Sequence, residues 1–78
     1  MEASKNSSVP LHQQISEYMK KNIMIGEWTI GTKIAPQRDL AKLFQVDRST
    51  IVIALEELAA DGLIESKVGS GTRVVNNT

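Results

Sequence analysis

Gln37 to Leu55, QRDLAKLFQVDRSTIVIAL, decides the fold, because its apolar spacing is that of two short helices crossing at a fixed angle. Leu40, Phe44, Val46, Ile51 and Ala54 fall where one helix packs across the other, and Ala41 supplies a small side chain where the backbones come close. Pro36 opens the first helix, which is expected to run to about Phe44, with Gln45 and Val46 as the turn. The second helix is expected over 48–60, with Ile51, Ala54, Leu55 and Leu58 inward and Gly62 as a left-handed stop. Asp47 can cap it, since a carboxylate there can accept a first-turn N–H and complement the helix dipole. This is the pattern of a helix-turn-helix with Arg48 opening its reading helix, free to face a phosphate or a base edge.

Upstream, Leu11, Ile15, Tyr18, Met19, Asn22 and Ile23 recur at three- and four-residue steps, an amphipathic helix that begins near Pro10 and ends at Gly26. The segment EWTIGTKI carries Trp28, Ile30 and Ile34 as a short extended strand or hook would, with Trp28 expected against the first helix. Downstream of Gly62, LIESKVGSGTRVV is two short runs around a glycine-rich tip, a β-hairpin. Leu63, Val68, Val74 and Val75 are expected to close the bottom of the core. The fold class is therefore mainly α with a small β-hairpin: a winged helix-turn-helix of three helices plus wing. Residues 1–8 are expected to be a disordered tail, 9–75 the folded domain, and 76–78 the start of a linker to a missing C-terminal effector domain.

At 78 residues this is one small domain, near the size at which a single core gives marginal stability. Without cysteine there is neither a disulfide framework nor a thiolate metal site, which fits a reducing, cytoplasmic setting. No apolar run approaches the roughly 20 residues that span a bilayer, and MEASKNSS lacks the apolar core of a signal peptide, so no membrane association is expected. Nine basic residues balance nine acidic ones, which weighs against a strong sequence-independent grip on nucleic acid. Their distribution is uneven. Lys33, Arg38, Lys42 and Arg48 gather around the helix-turn-helix and Lys67 and Arg73 flank the hairpin tip, whereas Glu56, Glu57, Asp61 and Glu65 cluster at the far end of the third helix. A basic and an acidic face are one reading; mixed charge on an ordinary surface is the other.

Three blocks, VPLHQQISEYMKKNI, IGEWTIGTKIAPQRDLAKLFQVDRSTI and LAADGLIESKVGSGTRVV, resemble in order and spacing the N-terminal winged helix-turn-helix domain of the GntR family of bacterial transcriptional regulators, over Val9 to Val75. The resemblance implies a sequence-specific DNA-binding repressor or activator, homodimeric at full length, whose C-terminal domain binds a metabolite. In that family the arginine of helix two, the arginine opening the recognition helix and the wing-tip glycine contact the operator, which carries over onto Arg38, Arg48 and Gly69. Two positions depart from the pattern: Val52 stands where many members have a second arginine, and Gln45 where the turn usually holds glycine. Val52 with PQRDLA and VGSGTRVV looks more like the MocR-like branch, fused to an aminotransferase-like domain that binds pyridoxal phosphate. No cofactor is expected in the present domain; pyridoxal phosphate or a metabolite effector would belong to the C-terminal one.

The residues themselves carry chemistry suited to a double-stranded DNA operator. A guanidinium at Arg48 can bond guanine O6 and N7 in parallel; the alternative is a surface charge paired with Asp47 or Glu57. Ser49 and Thr50 can reach phosphate or base, or stabilise the first turn. Val52 and Ile53 can pack on thymine methyl groups, or form a protein contact or the edge of the core. Arg38 and Lys42, one turn apart, can face phosphates or solvent, and Lys33 reads as peripheral. Gly69, Ser70 and Gly71 clear side-chain bulk from the tip, so backbone N–H groups can approach phosphate or the minor groove; an ordinary tight turn explains the glycines too, and the lysine of a nucleotide-binding loop is missing. His12 has no cysteine or carboxylate cluster at ligand spacing, so it reads as a surface or boundary residue and an enzyme is not expected. The different-class alternative is a winged-helix protein–protein interaction module, favoured by zero net charge and apolar Val52 and Ile53.

Overall fold

Two prolines and six residues of positive φ punctuate the described residues, and the elements lie between them. The computed structural model describes residues 8–69 and 71–77; the expected tail, apart from Ser8, lies outside the described residues. In chain order the elements are α1 (Leu11–Met24), β1 (Lys33–Ile34), α2 (Gln37–Phe44), α3 (Arg48–Ala60), β2 (Ile64–Lys67) and β3 (Gly71–Val74). Pro10 and Pro36 are the last extended residues before α1 and α2, with ψ of 145° and 153°, one position earlier than a first-turn proline. Each still nucleates its helix through its carbonyl, which accepts Gln13 N and Gln14 N at 3.1 Å in one case and Leu40 N at 3.0 Å in the other.

The ends of α2 and α3 are built alike. Past α3, Gly62 has φ +75°, its N–H reaches Ala59 O at 3.0 Å, and Leu63 N reaches Leu58 O at 3.1 Å. Past α2, Gln45 has φ 57° and ψ 49°, its N–H reaches Lys42 O at 3.3 Å, and Val46 N reaches Ala41 O at 3.0 Å. Both are six-residue Schellman closures, which satisfy carbonyls that the helix end would orphan. At α2 the left-handed position is filled by glutamine, so the turn takes this geometry without the residue that adopts it freely.

Asp47 departs from the expectation. It occupies the position before α3 with extended backbone, but its carboxylate makes no capping bond; its carbonyl accepts Thr50 N at 3.0 Å and Ile51 N at 3.4 Å. The helix start is closed by backbone alone.

The core is one cluster. Ile15, Met19 and Ile23 of α1 meet Leu40 and Phe44 of α2 and Ile51, Ala54 and Leu58 of α3, with Ile34, Leu63, Ile64 and Val74 beneath. Tyr18 presents an edge-to-face contact to Phe44, ring centroids 5.6 Å apart at 79°. Leu55 and Trp28 are half-buried against this cluster, and the backbone N–H of Trp28 donates to Asn22 O at 3.0 Å. Full burial of each large aliphatic contributes about 1.5–3 kcal/mol, so a domain this small depends on nearly all of them.

The hook after α1 is a turn for most of its length. Thr32 N bonds Thr29 O at 3.0 Å and Ile30 is exposed, so only Lys33 and Ile34 are strand. That short strand joins the wing: the sheet order is β1-β3-β2, all antiparallel, with Lys33 opposite Arg73 and Ile34 opposite Thr72. The expected hairpin forms, with Ile64 opposite Val74 and Lys67 opposite Gly71. Leu63 and Val74 close the core as expected, but Val75 is exposed and Val68 is wholly in solvent. Val68 lies beyond the last paired residue of β2, where there is no sheet face left to cover.

Candidate nucleic-acid interface

Alternation of burial along α3 sorts its residues into two faces. Ile51, Ala54 and Leu58 are buried, Thr50 and Val52 are half-buried, and Arg48, Ser49 and Ile53 are exposed. Ile53 keeps 43% of its surface in solvent, which for an isoleucine on a core helix sets it on the outer face. Val52 sits at the boundary.

The turn between α2 and α3 forms the floor of an open concavity of about 550 Å³, lined by Arg38, Lys42 and Arg48 with Leu11, Ala41, Gln45, Val46, Asp47 and Thr50. Three of the expected cations therefore converge on one surface. They do so because Arg38 and Lys42 are one turn apart on α2 and the Schellman closure swings Arg48 back beside them. None of the three has a carboxylate within ion-pair distance among the described residues.

Arg48 takes neither of the acidic partners weighed for it. Its Nη2 donates to Gln37 Oε1 at 3.5 Å, and Glu57 is engaged elsewhere, by His12 Nδ1 and by Ser16 Oγ at 3.3 Å. A neutral acceptor steadies the guanidinium without neutralising it. Sequence reasoning missed Gln37, and the signal available was its position as the first residue of α2, eleven residues before Arg48.

At the wing, Gly69 and Gly71 have φ of +83° and +79° and are exposed, the backbone that only glycine adopts at no cost. Ser70 lies outside the described residues. Behind the tip, Ser66 Oγ and Thr72 Oγ1 are hydrogen-bonded at 2.8 Å, pinning the two strands. Lys33, which reads as peripheral in the sequence, stands in the sheet opposite Arg73.

Beyond the Glu57 contacts, Lys20 lies 3.7 Å from Asp61 and Lys67 lies 4.0 Å from Glu65. Among the described residues no three His, Cys, Asp or Glu side chains are placed to hold a metal ion.

The comparisons agree with this geometry. The model of the gntR family of bacterial regulatory proteins matches residues 11–74. YisV, an uncharacterized HTH-type transcriptional regulator of Bacillus subtilis, is 56% identical over 75 residues, 96% of this chain. The probable rhizopine catabolism regulatory protein MocR of Rhizobium meliloti is 34% identical over 70 residues, 90% of this chain. The chain spans only 16% and 14% of the length of these two relatives. Among solved structures, the AraR DNA-binding domain in complex with operator ORX1 superposes with a TM-score of 0.84 at 31% identity, over 92% of this chain and 89% of that one. The chain thus belongs to the gntR family of bacterial regulatory proteins, and its fold is the winged helix-turn-helix DNA-binding domain of those transcriptional regulators.

Proposed function

We propose that this domain reads one half-site of a duplex operator, with α3 in the major groove, α2 across the backbone and the wing flanking. The observation that carries the reading is the convergence of Arg38, Lys42 and Arg48 around the helix-turn-helix concavity, none of them ion-paired among the described residues. Arg48 bonds guanine O6 and N7, Ser49 and Thr50 serve phosphate or base, and Ile53 with Val52 packs on thymine methyls. Arg38 and Lys42 hold phosphates, and the backbone of Gly69 and Gly71 approaches the duplex at the wing. The structural likeness to AraR bound to its operator supports this assignment.

One module offers few contacts, so the longer protein works as a homodimer on half-sites about one helical turn apart. Its setting is the cytoplasm, and no helix among the described residues is long and apolar enough to cross a membrane. The likeness to MocR favours the branch with an aminotransferase-like domain, in which pyridoxal phosphate would be bound outside the present chain. Retention of pyridoxal phosphate by the purified full-length protein, read from its visible absorption, is the test of that assignment.

Exposed Ile53 and Leu43 favour a second reading, a protein-interaction module. Selection from a random duplex pool followed by anisotropy titration separates the two. An enriched motif bound well above a scramble, and weakened by Arg48→Ala, supports operator reading; equal weak binding of both duplexes, with Ile53→Asp abolishing capture of a protein partner, supports the second.

A further inference from the structure

We infer that Lys33 is a phosphate-binding residue of the wing, its ammonium carried toward the tip across the backbone of Gly71. The inference rests on the DNA-reading role proposed above and adds to it a contact from the strand that joins helix-turn-helix and wing.

Register places the side chains. Residues directly opposite in an antiparallel sheet share a face, so Lys33, Arg73 and Glu65 stand in a row, with Lys67 and Gly71 on the same face two pairs nearer the tip. The other face carries Ile34, Ile64 and Val74 into the core. Three cations thus occupy the outer face, and two are engaged. Arg73 Nη1 donates to Gly31 O at 3.4 Å, just ahead of β1 and away from the tip, and Lys67 Nζ lies 4.0 Å from Glu65 Oε1. Lys33 has no carboxylate within ion-pair distance among the described residues.

The stem of Lys33 has a definite course. Its Cε lies 3.2 Å from the position that a Cβ on Gly71 would occupy, so it leans diagonally from its own register position toward the tip. Gly71 permits this twice over: it has no side chain to displace the stem, and its φ of +79° is one that other residues rarely adopt. Glycine at this position therefore shapes a path for a cation as well as a turn.

Chain continuity places Lys33 beside the proposed interface. Gln37, the partner of Arg48, opens α2 only four residues after Lys33, so β1 links the wing to the recognition helix. An unpaired ammonium on a flexible stem is suited to a phosphate as a point charge and adds grip without sequence preference.

Lys33→Met keeps the stem over Gly71 and removes the charge. The 78-residue chain and this variant are titrated by anisotropy against the selected duplex and a scramble, across roughly 50 to 200 mM salt. The expected result is a slope of log affinity against log salt shallower by about 0.9, with the same fractional loss of affinity on both duplexes. Thermal melting is unchanged, and Lys33→Arg restores the slope. A wild type that binds the selected duplex, with Lys33→Met matching its slope, overturns the role of Lys33 and leaves the DNA reading standing. A wild type that binds neither duplex overturns both.

Discussion

His12 of α1 and Glu57 of α3, 45 residues apart in sequence, meet as an imidazole–carboxylate pair, and the second oxygen of Glu57 accepts the hydroxyl of Ser16 at 3.3 Å. The helix proposed to read DNA is thereby tied to α1 by polar contacts at the rim of an otherwise apolar seam. A lone histidine that the sequence leaves without a partner acquires one through the packing.

Removing that tie destabilises the domain modestly, because both side chains of the pair keep more than a third of their surface in solvent. Glu57→Ala is expected to cost about 1 kcal/mol, the net value of a hydrogen bond, which lowers the melting temperature by roughly 4–8 °C in a domain of this size. Thermal melting followed by circular dichroism reads it; an unchanged midpoint shows that the tie contributes nothing.

Gln45 at φ 57° carries strain that glycine would not. Gln45→Gly is expected to raise stability by up to about 1 kcal/mol, since the relief of left-handed strain exceeds the added flexibility of the unfolded chain. Gln45→Val, with a branched side chain in the same conformation, should lower it. Urea midpoints of the two variants on opposite sides of the wild type are the expected outcome, and the reverse order would refute the strain.

Leu63 and Val68, five residues apart, should differ sharply in sensitivity. Leu63 is 1% exposed and closes the core behind α3, so Leu63→Ala is expected to cost about 2–5 kcal/mol. Val68→Ser should stay within about 0.5 kcal/mol, as a substitution on open surface does. Denaturant titrations give both values, and a Val68 variant as damaged as the Leu63 one would restore Val68 to the core.

Lys42 and Arg48 line one concavity but are expected to fail differently on DNA. Arg48→Ala should lose about 1–3 kcal/mol on the selected operator and relax preference at one base position. Lys42→Ala should weaken operator and scramble alike and flatten the salt slope by about 1. Anisotropy titrations at two salt concentrations tell them apart; matched losses for the two variants on every duplex would remove Arg48 from base reading.

The helices and the hairpin were legible because their signals are local. Period-3.6 spacing, proline before a helix and glycine after it depend on neighbours within four residues, and α3 runs over Arg48–Ala60 as that spacing predicts. The resemblance singles out Arg38, Arg48 and Gly69 from motif alone, and the structure brings Arg38 and Arg48 to one concavity. Where reasoning strayed, the cause was reach. Apolarity alone assigns Val68 to the core, but the strand pairing that would give it a face ends one residue earlier.

From its sequence alone, then, this protein's winged helix-turn-helix class, the order of its three helices and hairpin and its family were determined, because each rests on spacings that hold within a turn or a hairpin. Only the tertiary structure decided the partners. A two-residue strand such as Lys33–Ile34 has no readable period, and its pairing with β3 forms when the ends of the domain meet. The contacts of Arg48 with Gln37 and His12 with Glu57, and the lean of Lys33 toward Gly71, likewise join residues on different elements. Their distances are set by how the shared core draws those elements together, which no local spacing encodes.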